Sequence, residues 1–375
     1  MQTFEKLSFW EKRSYTEGID FLIIGAGIVG LSAALEIKQQ KPKAKVLVLE
    51  RAYLPNGAST KNAGFACIGS PSELLDDLKH QSETEVFATV EKRYRGLQKL
   101  REKLGDQQLR YQALGAYEIF SASQKKLFQN CCENLDYLNA QLKPICGHEQ
   151  TFKLEPKYCK NAKFKGFEQA ISHAAEAQLE PDYLMQALAQ KASTAGVLVL
   201  YGIEVSELNE NEVETKMGKI GFEKAAICTN GLASQFLGES VKPARAQVVV
   251  TSPLPEIDWQ GIHHFDQGYY YFRNIGNRVL LGGGRNLDFA VEETNKMETT
   301  ARIQDELFRL LKEEILAHQN FQIDYQWAGI MGVGESKKPM LKSLSPSLYC
   351  AIRLGGMGVA IGTLVGEELA EMMLK

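Results

Sequence analysis

The stretch Asp20 to Glu50, DFLIIGAGIVGLSAALEIKQQKPKAKVLVLE, constrains the fold more than any other part of the chain. Phe21-Leu22-Ile23-Ile24 is a short apolar run ending at a glycine, the pattern of a strand buried on both faces. Gly25-Ala26-Gly27-Ile28-Val29-Gly30 then supplies G-x-G-x-x-G. In such a turn the first glycine permits the tight bend, the second lets backbone approach a pyrophosphate, and the third lets a helix pack closely on the strand. The phosphates would sit on the helix N-terminus, where free N–H groups and the dipole favour anions. Leu31, Ala34, Leu35 and Lys38 repeat at helical spacing, Pro42 ends the helix, and Lys45 to Leu49 reads as a second strand. Glu50 closes that strand twenty residues beyond Gly30, where the fingerprint wants an acceptor for a ribose hydroxyl. A carboxylate there disfavours a 2′-phosphate. Read alone, the unit serves NAD or FAD, or is a purely structural βαβ.

A length of 375 residues holds about two to three domains, or two interleaved ones. The 44% hydrophobic and 24% charged residues fit an ordinary globular enzyme. A net charge of −3 offers no general attraction to nucleic acid or anionic lipid. Residues 1 to 18 are a polar lead-in without an apolar core or small-residue cleavage site, and no apolar run reaches membrane-spanning length. The expected location is cytoplasmic. The 7 cysteines form no C-x-x-C pair and no metal spacing, so reduced, mostly buried thiols are expected. Cys146-Gly147-His148 makes at most half a zinc site, and no metal is expected.

After Glu50 the second βαβ unit of an NAD-binding domain does not appear. Gly57-Ala58-Ser59-Thr60-Lys61-Asn62-Ala63-Gly64 follows instead, a glycine- and hydroxyl-rich turn leading into a helix. Ser59 and Asn62 can hydrogen-bond polar cofactor groups, and Gly64 allows backbone contact. GAGIVG, Glu50 and GAS-x-x-N-x-G at this distance resemble the FAD-dependent D-amino-acid, glycine and sarcosine oxidase family. The resemblance implies an FAD site whose AMP end meets Gly25 to Gly30, Glu50 and Arg51, while Ala58, Ser59, Asn62, Ala63 and Gly64 flank the pyrophosphate and flavin. It places Val205 near the adenine through backbone atoms and the turn at Thr229 and Gly231 against the cofactor. It also places Gly355-Gly356-Met357-Gly358-Val359-Ala360 at the flavin's pyrimidine edge. A helix starting there would stabilise negative charge on the reduced ring.

Ser70-Pro71-Ser72-Glu73 and Ser82-Glu83-Thr84-Glu85 are capping boxes. Val86, Val90, Tyr94, Leu97, Leu100 and Leu104 form one apolar helical face, a core stripe ended by Gly105. Tyr117 to Phe120 is strand-like, Gln124 to Gln141 helical, and Asp182 to Thr194 and Asp305 to His318 are helices by pattern. The expected fold is α/β: a Rossmann-like FAD-binding domain (1–77, 151–240 and 320–375) with an interleaved antiparallel-sheet α+β substrate domain (78–150 and 241–319).

Within the second domain Tyr269, Tyr271 and Arg273 share one strand face. Phenols and a guanidinium there could receive a polar substrate, with Tyr271 and Arg273 positioning it; a solvated aromatic face is the plainer alternative. The resemblance puts a carboxylate-binding Arg shortly after Trp327-Ala328-Gly329, but Met331 occupies its place, and Glu335-Ser336-Lys337-Lys338 departs from the family pattern. Arg273, Arg245 or Lys338 would have to compensate. Residues 329 to 334 contain no Cys of the kind that tethers flavin, so FAD is expected to be non-covalent, with Cys67 a buried thiol near the flavin segment. Gly358, Gly362 and Gly366 let the last helix pack very closely on its neighbours.

Four separated segments (20–64, 197–205, 228–231 and 353–360) have features suited to one long cofactor, a layout favouring FAD over NAD. The activity expected is oxidation of a C–N bond of an amine or N-substituted amino acid by hydride transfer to flavin. The resulting imine would be hydrolysed, and oxygen or another electron acceptor would reoxidise the flavin. Two alternatives stand beside it. A 2-hydroxy-acid dehydrogenase would need a base, for which His173 or His264 could serve; an FAD-stabilised binding or assembly factor would need none.

Overall fold

The computed structural model describes residues 3–335 and 337–375. Its first sheet grows from the opening motif. Ile19–Ile24 pairs in parallel with Val46–Glu50, Phe21 opposite Val46 and Ile24 opposite Leu49. On its other side it pairs in parallel with Gly218–Ile227. Both faces are covered, which is why Leu22, Ile23, Leu47 and Val48 are all 0% exposed. The sheet runs Met340–Ser343, Leu348–Ile352, Gly218–Ile227, Ile19–Ile24, Val46–Glu50, Leu198–Tyr201, with a hairpin of Val205–Asn209 and Glu212–Thr215 on Gly218–Ile227. The crossover helix Ile28–Gln40 buries Leu31, Ala33, Ala34, Leu35 and Ile37, and Lys41 caps it just before Pro42.

The second sheet runs Ile323–Val333, Lys242–Thr251, Arg278–Gly283, Tyr270–Ile275, Ile262–Phe265, Ala116–Phe120, Gln169–His173, Phe152–Leu154. Its pairs are antiparallel except Ile262–Phe265 on Ala116–Phe120. One face carries Phe265, Tyr270, Phe272 and Phe164 against the helix Ala301–Leu310. The opposite face looks toward the first sheet's cofactor segments.

Strand pairing moves the boundaries expected from sequence. Phe152–Leu154, Gln169–His173 and Ile323–Val333 belong to the second sheet, although segments 151–240 and 320–375 were expected with the first. Conversely, the apolar stripe of helix Glu83–Leu104 joins the first sheet's core against the C-terminal helix Gly358–Leu374. Gly96 permits that contact, since a Cβ there would strike the Ala360 carbonyl oxygen. Gln169–His173 is placed by Ala116–Phe120 and Ile323–Val333 by Lys242–Thr251, pairings that local pattern does not specify. Among the described residues no helix is long and apolar enough to cross a membrane, and no cluster of His, Cys, Asp and Glu could hold a metal ion.

Candidate active site

The glycine turn is built as its spacing demands. Gly25 has φ +109°, and a Cβ on it would lie 2.9 Å from the Cys228 carbonyl oxygen. A Cβ on Gly30 would collide with the Gly25 carbonyl oxygen, so only glycine lets the helix start this close to the strand. Helix Ile28–Gln40 opens on Gly27 without a side-chain cap. The Ile28 N–H donates to Ser59 Oγ at 3.0 Å, which brings the Ala58–Lys61 turn onto the helix start. Val29 is buried one residue further along. Glu50 accepts the Ala26 N–H through Oε2 and the Ala52 N–H through Oε1, both at 3.1 Å. Its carboxylate is thereby fixed beside the glycine turn, with lone pairs left for a hydroxyl. Arg51 is exposed at the strand's end.

The distant segments converge on this turn. The Ile203 N–H donates to the Glu50 carbonyl at 2.9 Å, which carries the chain past Glu50 into Val205. Val205 is 4% exposed, and its carbonyl accepts from Gln235 Nε2 at 3.3 Å. The Cys228 N–H donates to the Ile24 carbonyl, so Thr229 and Gly231 emerge beside Gly25. Thr229 Oγ1 is buried with no hydrogen-bond partner among the described residues. Asn230 is held at φ +48°, and its Oδ1 accepts the N–H groups of Arg353 and Leu354 at 3.0 and 3.3 Å. The Gly355 N–H donates to the Gly332 carbonyl at 3.1 Å. Gly355 and Gly356 turn through φ +56° and +83°, and Met357 caps the helix beginning at Gly358. Val359 and Ala360 are buried in its first turn.

Two helix N-termini therefore lie side by side. A Cβ on Gly362 would be 2.8 Å from Ile28 Cγ2, and one on Gly366 would be 2.6 Å from the Val29 carbonyl oxygen. Met357 Sδ stands 4.0 Å from Cys67 Sγ, which joins the C-terminal turn to the segment after Gly64. Burial pushes the Cys67 thiol well above its ordinary pKa, so it is not a reactive thiolate.

This arrangement fits FAD. A helix start whose N-cap is Gly27, a Gly30 position with no space for a side chain, a fixed carboxylate and a Thr229 hydroxyl without a partner among the described residues suit a pyrophosphate and its ribose. Asn62 differs from expectation. Its Nδ2 donates to the Ala58 and Ser59 carbonyls and its Oδ1 accepts the Gly64 N–H, so its polar atoms shape the turn rather than reach outward. Ala63 is 7% exposed and packs with Val248, Val250 and Leu280 of the second sheet.

The facing sheet supplies the other wall. Tyr271 packs edge-on to Phe65 at 5.4 Å between centroids and lies over Gly282. Beyond it Ala246 pairs with Gly329, which lies under Lys61, and Trp327 Nε1 donates to the Lys61 carbonyl at 3.0 Å. Arg273 shares the face of Tyr271, as strand alternation requires. It is 1% exposed beneath Gly64, with Nη2 3.2 Å from Glu180 Oε1. Glu180 meets one edge of the guanidinium, and Arg273 Nε and Nη1 are buried with no hydrogen-bond partner among the described residues. Arg245 points to the other face, where Glu292 holds it through two bonds of 2.7 and 2.8 Å. Lys338 Nζ binds Glu85 at 2.7 Å, and Ser336 lies outside the described residues.

Sequence reasoning missed a buried acid–histidine array under Phe65–Ala66. Glu176 accepts the Ile68 and Gly69 N–H groups at 2.7 and 2.9 Å, and its Oε2 lies 3.2 Å from His264 Nε2. Burial pushes the Glu176 carboxyl up, but His173 and His264 outweigh it and hold it near 2. Glu118 accepts from the Ser72 N–H at 3.0 Å and from the Ser72 hydroxyl, and burial raises it to about 7. His264 is bound to Glu176, and His173 is buried with Nδ1 accepting the Ala175 N–H, so neither is an open base facing substrate. An alternating sheet register was the only signal for this array, and it required knowing which strands pair.

Known proteins are similar to this chain in sequence and fold. A probable oxidoreductase, OrdL, of Haemophilus influenzae is 23% identical over 384 residues, covering 96% of this chain and 83% of that protein. The structure of L-proline dehydrogenase from P. horikoshii superposes with a TM-score of 0.73 at 20% identity, covering 95% of this chain and 93% of the other. That of iminodiacetate oxidase from a Chelativorans species gives 0.72 at 21% identity, with 94% and 95% covered. Residues 20–372 match the FAD dependent oxidoreductase family, and the chain belongs to it.

Proposed function

We propose that the protein oxidises the C–N bond of an amine or N-substituted amino acid, with non-covalent FAD as cofactor and cytoplasm as its location. The observation that carries this reading is the convergence of the Gly25–Gly30 turn, Glu50 and the helix start at Gly358 opposite a sheet face that carries Tyr271, Val248, Trp327 and Met331. None of those four side chains is a carboxylate or an imidazole. Bound flavin supplies the hydride acceptor. The chain's part is to orient the donor carbon, keep water from it and stabilise charge at the helix N-terminus at Gly358. A neutral amine needs no protein base, whereas a hydroxy acid does. His173 and His264 are 3% and 7% exposed and tied to Glu176, which speaks against the hydroxy-acid reading. The two neighbours named above act on secondary amines, proline and iminodiacetate, in line with the proposal.

Anaerobic titration of the purified yellow protein with amines, N-methyl amino acids, D-amino acids and hydroxy acids tests it. Flavin bleaching by members of the amine series is expected. Bleaching by hydroxy acids alone would sink the reading.

A further inference from the structure

Two buried charged groups of opposite sign grip one peptide unit beside the cofactor segments. Between Ile68 and Gly69 the carbonyl accepts from Arg93 Nη1 at 2.8 Å, and the N–H donates to Glu176 Oε1 at 2.9 Å. The same Glu176 oxygen takes the Ile68 N–H at 2.7 Å. Arg93 and Glu176 are 7% and 1% exposed. Gly69 turns through φ +136°, and a Cβ on it would stand 3.0 Å from Leu74 Cδ2, so glycine is what lets this amide face the carboxylate. Upstream, the Gly64 carbonyl accepts the Leu179 N–H at 2.9 Å, and Phe65 and Ala66 pair with Gln178 and Ala177. The segment from Gly64 to Gly69 is therefore held at both ends, and Glu176 immediately precedes the strand that holds the first of them.

A buried carboxylate must be offset by a partner, because its desolvation is costly. His264 is that partner, with Nε2 3.2 Å from Glu176 Oε2. Burial pulls the His264 imidazole down, but the hydrogen bond to Glu176 and its charge outweigh burial and raise it, whereas burial leaves His173 below its ordinary value. His264 is thus the imidazole that balances Glu176. Strand register ties the pair to the substrate side. His264 stands opposite Tyr271 on one neighbouring strand and opposite Glu118 on the other, so the three share one face of the sheet. Phe65 straddles that row, edge-on to His264 at 5.3 Å and to Tyr271 at 5.4 Å between centroids. Its ring is only partly buried and packs on the same apolar cluster as Tyr271 and Trp327.

We propose that Glu176, with His264 as its counterion, is a positioning residue for the oxidation: gripping the Ile68–Gly69 peptide, the pair fixes the Phe65 ring against Tyr271, and this aromatic corner aligns the substrate's donor carbon. This rests on C–N oxidation as the reaction. Neither Glu176 nor His264 touches substrate; both act through Phe65. The array that faces no substrate and offers no open base is in this way still part of the reaction's machinery, because a small displacement of an aligning wall is costly to the rate.

The test uses the FAD-loaded protein and its Glu176→Ala, Glu176→Gln, Phe65→Leu and Glu176→Ala/Phe65→Leu variants, each checked for flavin content and melting temperature. Hydrogen exchange over residues 64–72 is read in the resting protein, and the limiting rate of anaerobic flavin bleaching with the best amine of the panel. Glu176→Ala is expected to speed exchange and lower the limiting rate, each about tenfold, with the half-saturating amine concentration changed less than about threefold. Glu176→Gln, which can hold both amides through its one carbonyl oxygen, should recover most of both losses. Phe65→Leu should lower the limiting rate about as far while leaving exchange at Ile68 and Gly69 as in wild type. In the double variant the rate should fall no more than about twofold below Glu176→Ala, because residues that act through one another are not additive. Multiplied losses in the double variant would overturn the assignment, and so would a wild-type limiting rate in Glu176→Ala with its segment exchanging faster. Unchanged exchange would overturn it as well. Should Glu176→Ala fail to hold FAD, His264→Leu, which withdraws the counterion and leaves Glu176 in place, enters the same cycle. If no amine bleaches the wild-type flavin, the C–N reading fails by itself, while exchange in the resting protein still decides whether Glu176 holds the segment.

Discussion

Glu118 and Glu176 sit under the same short strand, yet their surroundings push them in opposite directions. Glu176 has two backbone donors and two histidines, whereas Glu118 has only Ser72 to offset complete burial. The sign of the Glu118 effect follows from linkage. A carboxyl raised from 4.5 to about 7 on folding keeps its proton while the unfolded chain releases one, so its contribution to stability falls as pH rises through that window. The loss is on the order of 3 kcal/mol when complete. Glu118→Gln keeps an acceptor for the Ser72 N–H and removes the ionisable group. Its melting temperature should match wild type near pH 4.5 and exceed it above pH 7. A constant difference across that range, measured by thermal denaturation, would show that Glu118 does not titrate there. Glu176 runs the other way: a depressed carboxyl stabilises the fold above its unfolded pKa and loses that contribution as pH falls.

At the scale of elements, the C-terminal helix and the first crossover helix are joined through glycine. The Val29 carbonyl oxygen, a backbone atom that cannot swing aside, would stand 2.6 Å from a Cβ on Gly366. Gly366→Ala must therefore push the helices apart at the point where their N-termini flank the cofactor site. Overpacking of this kind costs about 1–3 kcal/mol, and FAD affinity should drop about tenfold, read from the fluorescence of flavin released on dilution. Wild-type affinity in Gly366→Ala would mean that the two helix starts need not be held together. This contact was legible in the sequence because glycines at positions 362 and 366 recur at helical spacing. The G-x-G-x-x-G turn and Glu50 were legible for the same reason: their geometry is set by neighbours in the chain. The strands Phe152–Leu154, Gln169–His173 and Ile323–Val333 were not, since the sheet they join is set by pairing with Ala116–Phe120 and Lys242–Thr251 and not by their own pattern. Nor was the fate of the arginines. Tyr271 and Arg273 alternate correctly onto one face, but only the fold shows that Arg273 ends beneath Gly64 with Glu180.

Across the whole molecule the cofactor segments come from both ends of the chain. Glu50, Ile203 and the glycine turn lie at one end of the site, and Asn230, Met357 and Cys67 lie toward the other. A ligand spanning both would act as a cross-link between stretches more than three hundred residues apart, and binding only the folded state it must stabilise it by mass action, about 2.7 kcal/mol at a hundredfold excess over Kd. ADP offers the part of FAD proposed to meet Gly25 to Gly30, Glu50 and the Ala58–Lys61 turn, but nothing for the Gly355 to Ala360 turn. Protein stripped of FAD should melt at a lower temperature. ADP should restore part of the difference, and FAD the remainder, each shift growing with ligand concentration. Gly366→Ala should narrow the gap between the two ligands, because it disturbs the register of the C-terminal helix while leaving Glu50 and its partners in place. Equal shifts from ADP and FAD at matched saturation would mean that the C-terminal turn adds nothing to cofactor binding, and the site would then be confined to the opening motif.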